Sequence, residues 1–168
     1  MEKIHQLQEK KVDTIVCYYV TSTWMIPVKD DSCTAYETKY LIWVEDNKNF
    51  IQKFTNCKSF QPITMNSQFL NLIRNNYSKI KKEKIKNPEY IYISKGKPQA
   101  IQQITTDISY NVFEIYTAKG ILTKKFADYY LNEKYVSGKH LNKSYYHNQK
   151  SSLNQLRKII GRKIRSIN

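Results

Sequence analysis

The stretch from Thr14 to Cys57 constrains the fold more than any other part of the chain. It holds three runs rich in β-branched and aromatic residues, Thr14–Met25, Tyr36–Glu45 and Asn49–Cys57. Such residues suit a pleated, half-buried surface. Pro27 and Asp30–Ser32 interrupt the first run from the second. Asp46, Asn47 and Lys48 separate the second from the third, and a connection that short joins only antiparallel neighbours. The N-terminal part is therefore committed to an antiparallel sheet, and the rest of the chain must cover it.

Three segments carry helical spacing. Ile4, Leu7 and Val12 mark a short N-terminal helix that ends near Asp13. Asn66 or Ser67 caps a central helix reaching about Ile85, with Phe69, Ile73, Tyr77 and Ile80 on one face. At the C-terminus, Ser152 to Gln155 has the capping-box pattern, in which the serine accepts from the N3 amide. Leu153, Leu156, Ile160, Ile164 and Ile167 then define an apolar stripe, with Lys158, Arg162 and Arg165 opposite it and Arg157 and Lys163 at its flanks. Between the helices, strands are expected at Glu89–Ser94, Ile101–Ile108, Asn111–Thr117 and Ile121–Phe126. Gly120 supplies the turn for the last pair. Residues 129–151 mix Asn, Lys, Tyr, Ser and His without period and read as a loop or loosely ordered arm.

At 168 residues the chain has room for one ordinary core. These elements imply a single α+β domain, an antiparallel sheet of about six to seven strands with N-terminal, central and C-terminal helices on one face. Residues 1–133 form the body, and residues 134–168 form a basic arm and an amphipathic helix that docks on it.

Charge is distributed unevenly along this frame. Residues 1–70 hold 8 basic and 8 acidic side chains, so the net charge of +14 lies entirely after Leu70. Two blocks hold it: residues 71–100, with 8 basic and 2 acidic, and residues 134–168, with 9 basic and none acidic. A one-sided field of this kind attracts polyanions, because neutralising phosphates releases condensed counterions. In the first block, Lys79, Lys81, Lys82, Lys84 and Lys86 precede Tyr90 and Tyr92, with Lys95 and Lys97 following. Lysine contributes charge without base preference, and tyrosine rings stack on unpaired bases. In the second block, Lys143 and Tyr145 precede the C-terminal helix, which holds three of the four arginines, Arg157, Arg162 and Arg165, beside Lys158 and Lys163. Arginine makes bidentate contacts to phosphate.

The expected function is a non-enzymatic binding protein that engages nucleic acid, RNA first, or a ribonucleoprotein. Size and composition also fit an inhibitor of an RNA-guided nuclease carried by a phage or mobile element. One alternative is a small metal-independent ribonuclease or toxin built on Lys139, His140, Lys143 and His147, since general acid–base chemistry on RNA needs such groups. Another is an interaction module for an acidic protein surface. Asp30, Asp31, Glu37 and Lys39 only loosely resemble the acid and lysine spacing of restriction-type nucleases. No phosphate-cradling glycine loop or metal-ligand spacing is present, so neither cofactor nor metal is expected. Cys17, Cys33 and Cys57 form no CxxC and read as reduced thiols of a cytoplasmic protein. The polar N-terminus is no secretory signal, and no apolar run is long enough for a membrane span.

Overall fold

The computed structural model describes residues 2–22, 38–102, 108–132, 134–136 and 140–167. Asp30, Asp31, Cys33, Glu37 and Lys139 lie outside these residues, as does 103–107 of the strand expected at 101–108.

The central antiparallel sheet is built from β1 (Thr14–Ser22), β2 (Lys39–Glu45), β3 (Lys48–Phe54), β4 (Ile63–Met65), β7 (Ser109–Thr117) and β8 (Gly120–Ala127). Its spatial order is β4-β3-β2-β1-β7-β8, so β1 lies at its centre between β2 and β7. Asp46 and Asn47 both take positive φ between β2 and β3, the geometry of a tight hairpin turn. Alternation along the strands separates two cores. Val16, Tyr18, Tyr40, Ile42, Phe113 and Ile115 face one side of the sheet. Ile15, Cys17, Leu41 and Trp43 face the other.

The helices α1 (Glu2–Glu9), α2 (Gln68–Lys82) and α5 (Ser152–Arg165) occupy the three expected places. They cover both faces of the sheet, not one. Ile4 and Leu7 of α1 close the smaller core. The chain leaves α1 through Lys11, whose positive φ lets Val12 N–H return to the Leu7 carbonyl at 3.0 Å. α2 and α5 lie against each other over the larger core, burying Phe69, Leu70, Ile73 and Ile80 from one and Leu153, Leu156 and Ile160 from the other. Each of those side chains contributes roughly 1.5–3 kcal/mol by leaving water.

Two regions depart from the expected organisation. The strand placed at Ile101–Ile108 begins earlier: β5 (Glu89–Ser94) pairs with β6 (Lys97–Gln102) in a separate two-stranded sheet. Lys95 and Gly96, both at positive φ, form its turn. Pro98 disguised β6 in the sequence, although this strand needs pairing on one edge only.

The segment after β8 is not a loose arm. It forms α3 (Tyr129–Asn132), β9 (Tyr135–Val136), β10 (His140–Leu141) and α4 (Tyr145–Gln149), with β9 and β10 paired. Asn142, Ser144, Asn148 and Ser151 are buried there. Asn148 Oδ1 accepts from Lys86 N–H at 2.9 Å, and its Nδ2 donates to the carbonyls of Lys86 at 2.8 Å and Tyr130 at 3.0 Å. Asn142 Oδ1 accepts from Ser144 N–H at 2.9 Å and Glu89 N–H at 3.3 Å. Side-chain amides take the place of an apolar stripe, so no hydrophobic period marks the segment.

Cys17 is a free, buried thiol, but Cys57 is disulfide-bonded. This corrects the expectation of reduced cysteines throughout. Pairing depends on Cα proximity set by the fold, which linear spacing does not report. Among the described residues, no helix is long and apolar enough to cross a membrane.

Candidate functional site

The C-terminal helix is fixed at its start by two devices. Ser151, not Ser152, is the N-cap, and its Oγ accepts from Asn154 N–H at 3.0 Å. The capping pattern is therefore shifted by one residue from the expected Ser152. The amides of Ser152 and Leu153 donate to the two carboxylate oxygens of Glu83, at 3.1 and 3.2 Å. A carboxylate suits this positive end of a helix. Since Glu83 directly follows α2, the two helices are joined end to end. On the other side of that junction, Lys124 Nζ donates to the carbonyls of Lys81 at 2.7 Å and Glu83 at 2.9 Å. Burial holds this ammonium below the usual lysine range.

Docking of the apolar stripe leaves Lys158, Arg162 and Arg165 exposed. None of the three meets a carboxylate among the described residues; Lys158 Nζ donates to Gln149 Oε1 at 2.9 Å. Lys163 is half-buried at the flank. Arg157 differs in kind. Its Nη2 lies 2.6 Å from Asp128 Oδ2, so its charge is compensated within the protein.

That pair ends a polar chain running into the sheet. Asp128 Oδ1 accepts from Asn111 Nδ2 at 2.9 Å, and Asn111 Oδ1 accepts from the Tyr18 hydroxyl at 2.8 Å. Asn132 Nδ2 adds a further bond to Asp128 Oδ2 at 3.1 Å. Burial pushes the Tyr18 hydroxyl up to about 12, with the Arg157 charge opposing and the Asp128 charge adding. Tyr18 therefore stays a neutral donor at physiological pH.

Two concavities flank the cationic face of α5. One, of about 520 Å³, has Tyr18, Ser109, Asn111 and Asp128 on its sheet side. Its helix side includes Arg157, Gly161 and Arg165. The second, also about 520 Å³, lies between α2 and α5 and is lined by Asn71, Asn75, Gln155 and Ile159. Lys158 and Arg162 line both. They form a basic ridge between two hollows.

The remaining candidates fall in two other places. Lys79, Lys81 and Lys82 are exposed at the end of α2, with Lys84 and Lys86 exposed just beyond it. Lys95 and Lys97 are exposed at the turn of the β5–β6 hairpin. Tyr90 is only 3% exposed, which corrects its assignment as a stacking platform. It sits at the covered base of the hairpin, whereas Tyr92, nearer the tip, is 45% exposed and meets His140 edge-on at 6.3 Å. Lys143 is exposed, and its backbone N–H donates to the Glu89 carbonyl at 3.0 Å. Tyr145 is half-buried and packs edge-on against Tyr146 at 5.3 Å. His140 on β10 and His147 on α4 are both exposed, and neither accepts or donates a side-chain hydrogen bond among the described residues.

Tyr18, Glu83, Asn111 and Asp128 were not singled out as site residues from sequence. No local signal could have found the polar chain, because Tyr18 and Asn111 are 93 positions apart and Asp128 and Arg157 are 29.

Residues 42–164 match a protein family described as "Protein of unknown function (DUF1565)". No curated protein and no solved structure matches the chain.

Proposed function

We propose that the chain, which belongs to the DUF1565 family, is a non-enzymatic binding protein that engages single-stranded nucleic acid, RNA first, through the basic ridge of α5. The observation that carries this reading is the exposure of Lys158, Arg162 and Arg165 on one docked helix, without carboxylate partners among the described residues. Residues 134–168 add no acid that could neutralise them. Hollows on either side of a cationic ridge suit a flexible strand, whose phosphates meet the ridge while bases enter the concavities. The exposed lysines around the hairpin, with Tyr92 among them, extend the positive field. The ribonuclease alternative has less support, since a general base needs a hydrogen-bonded orienting partner and the side chains of His140 and His147 show none among the described residues.

The test is titration of labelled single-stranded RNA at several salt concentrations. Affinity should fall with salt, with a log–log slope of about −0.7 for each phosphate neutralised. Replacing Lys158, Arg162 and Arg165 together by Glu should weaken binding by about 30-fold or more and flatten the slope by about two units. Thermal stability should stay nearly constant, because exposed charges contribute little to folding. Absence of binding at low salt to both RNA and single-stranded DNA would sink this reading.

A further inference from the structure

We propose that the hollow between the sheet and α5, on the Tyr18 side of the ridge, is a binding site for a phosphomonoester, meaning the terminal phosphate of a nucleotide or of a nucleic-acid strand. Its extension from a free nucleotide to a strand end rests on the nucleic-acid reading above.

Size is the first argument. About 520 Å³ lies within the range of small-ligand sites and accommodates one nucleotide. The sheet side of the hollow is lined by Tyr18, Ser109 and Asn111.

Charge is the second. Arg157 is balanced by Asp128 at 2.6 Å, which leaves Lys158, Arg162 and Arg165 as cations on the same lining without a carboxylate partner among the described residues. An internal phosphodiester carries one negative charge. A monoester carries about two near neutral pH and presents three acceptor oxygens. The surplus of donors therefore matches a terminal phosphate. Arg157 uses one terminal nitrogen on Asp128, and a guanidinium has five N–H donors in all, so it has others to offer. The bonds from Asp128 through Asn111 to Tyr18 hold that guanidinium in place before any ligand arrives.

Gly161 is the third. Arg157, Gly161 and Arg165 follow one another at intervals of four along α5, on one face of the helix. A glycine there destabilises the helix relative to alanine. Nothing within 4 Å would meet its Cβ, so packing does not require a glycine. What the missing side chain does leave is open volume between two arginines, inside the hollow.

The experiment has two arms. In the first, AMP and adenosine are titrated by calorimetry into wild type, Gly161→Leu and Gly161→Ala. AMP should bind at least about tenfold more tightly than adenosine, because charge-assisted contacts exist only for the phosphate. Gly161→Leu should abolish AMP binding by filling the hollow. Gly161→Ala fills less and improves the helix, so it serves as the folded control, and Arg165→Gln should weaken AMP without relying on the leucine variant. In the second arm, one short RNA is compared with a 5′-phosphate, a 3′-phosphate or hydroxyl ends. A phosphorylated end should bind at least about tenfold better, and Gly161→Leu should erase that preference. Equal binding of AMP and adenosine, with no preference among RNA ends, overturns the pocket while the ridge reading stands. AMP bound tightly with no RNA bound supports the pocket and overturns the ridge reading instead.

Discussion

Asn148 has no exposed surface and makes three hydrogen bonds to backbone groups that no strand or helix serves. Its side chain pairs with Lys86 as a neighbouring strand would, through one donor and one acceptor. Replacing it with Ala would leave the part-buried Lys86 amide and two carbonyls without these partners. Each unsatisfied group costs about 1–3 kcal/mol, reduced where water can enter, so Asn148→Ala should lose about 3 kcal/mol in urea denaturation. Asn148→Asp should lose a similar amount, because it keeps the acceptor but removes both donated bonds. A change under about 0.5 kcal/mol would mean this amide does not hold the junction. Residues of this kind explain why 129–151 read as a loose arm. Asparagine and serine look the same in sequence whether hydrated or buried, and only their partners distinguish the two. Arg157 was misleading in the same way: it shares a helix with Arg162 and Arg165 but turns to Asp128.

Among elements, the joint between α2 and α5 depends on Glu83. Its carboxylate receives the first two amides of α5 and its own carbonyl receives Lys124 Nζ. Glu83→Ala should destabilise the protein by about 1–2 kcal/mol, the range of a lost helix cap with its favourable charge. Glu83→Gln keeps an acceptor oxygen and should lose less. Thermal unfolding of the two variants checks the order, and equal stability of Glu83→Ala and wild type would refute the role. Element type was legible in the sequence wherever period was strong, as in the Phe69–Ile80 and Leu153–Ile164 stripes. Ends were less so. The central helix stops at Lys82 and not near Ile85, because Glu83 takes an extended conformation as it reaches for α5. Pro98 hid β6, and with it the turn at Lys95 and Gly96.

For the molecule as a whole, one buried tyrosine and two half-buried ones tie stability to alkaline pH. Burial pushes the hydroxyls of Tyr18 and Tyr130 up to about 12 from the ordinary 10.0. Tyr116 is raised as well, by burial and then by its hydrogen bond to Glu114. In each case the folded state holds the phenolic proton more strongly than the unfolded chain does. The corresponding stability is fully present below about pH 10 and is lost as pH rises towards the folded value near 12. Urea midpoints should therefore fall steeply over that window, and native absorbance of phenolate should lag behind that of the unfolded protein. A flat stability profile between these limits would show that the hydroxyls are not held as the fold implies.

What the sequence determined by itself was local. The β-branched and aromatic runs at Thr14–Met25 and Tyr36–Glu45, the Asp46-Asn47-Lys48 turn, two helical stripes and a net charge confined beyond Leu70 were each readable without the fold. Tertiary structure alone decided which cations meet a carboxylate among the described residues, that Tyr90 is covered while Tyr92 is not, that Cys57 enters a disulfide, and that a hollow opens beside Gly161. These outcomes depend on partners far away in the chain, such as Tyr18 with Asn111, Glu83 with Ser152 and Asp128 with Arg157. Backbone periodicity carries no record of such pairings. They arise only when the sheet brings β1 beside β7 and α5 settles across the end they share with Asp128.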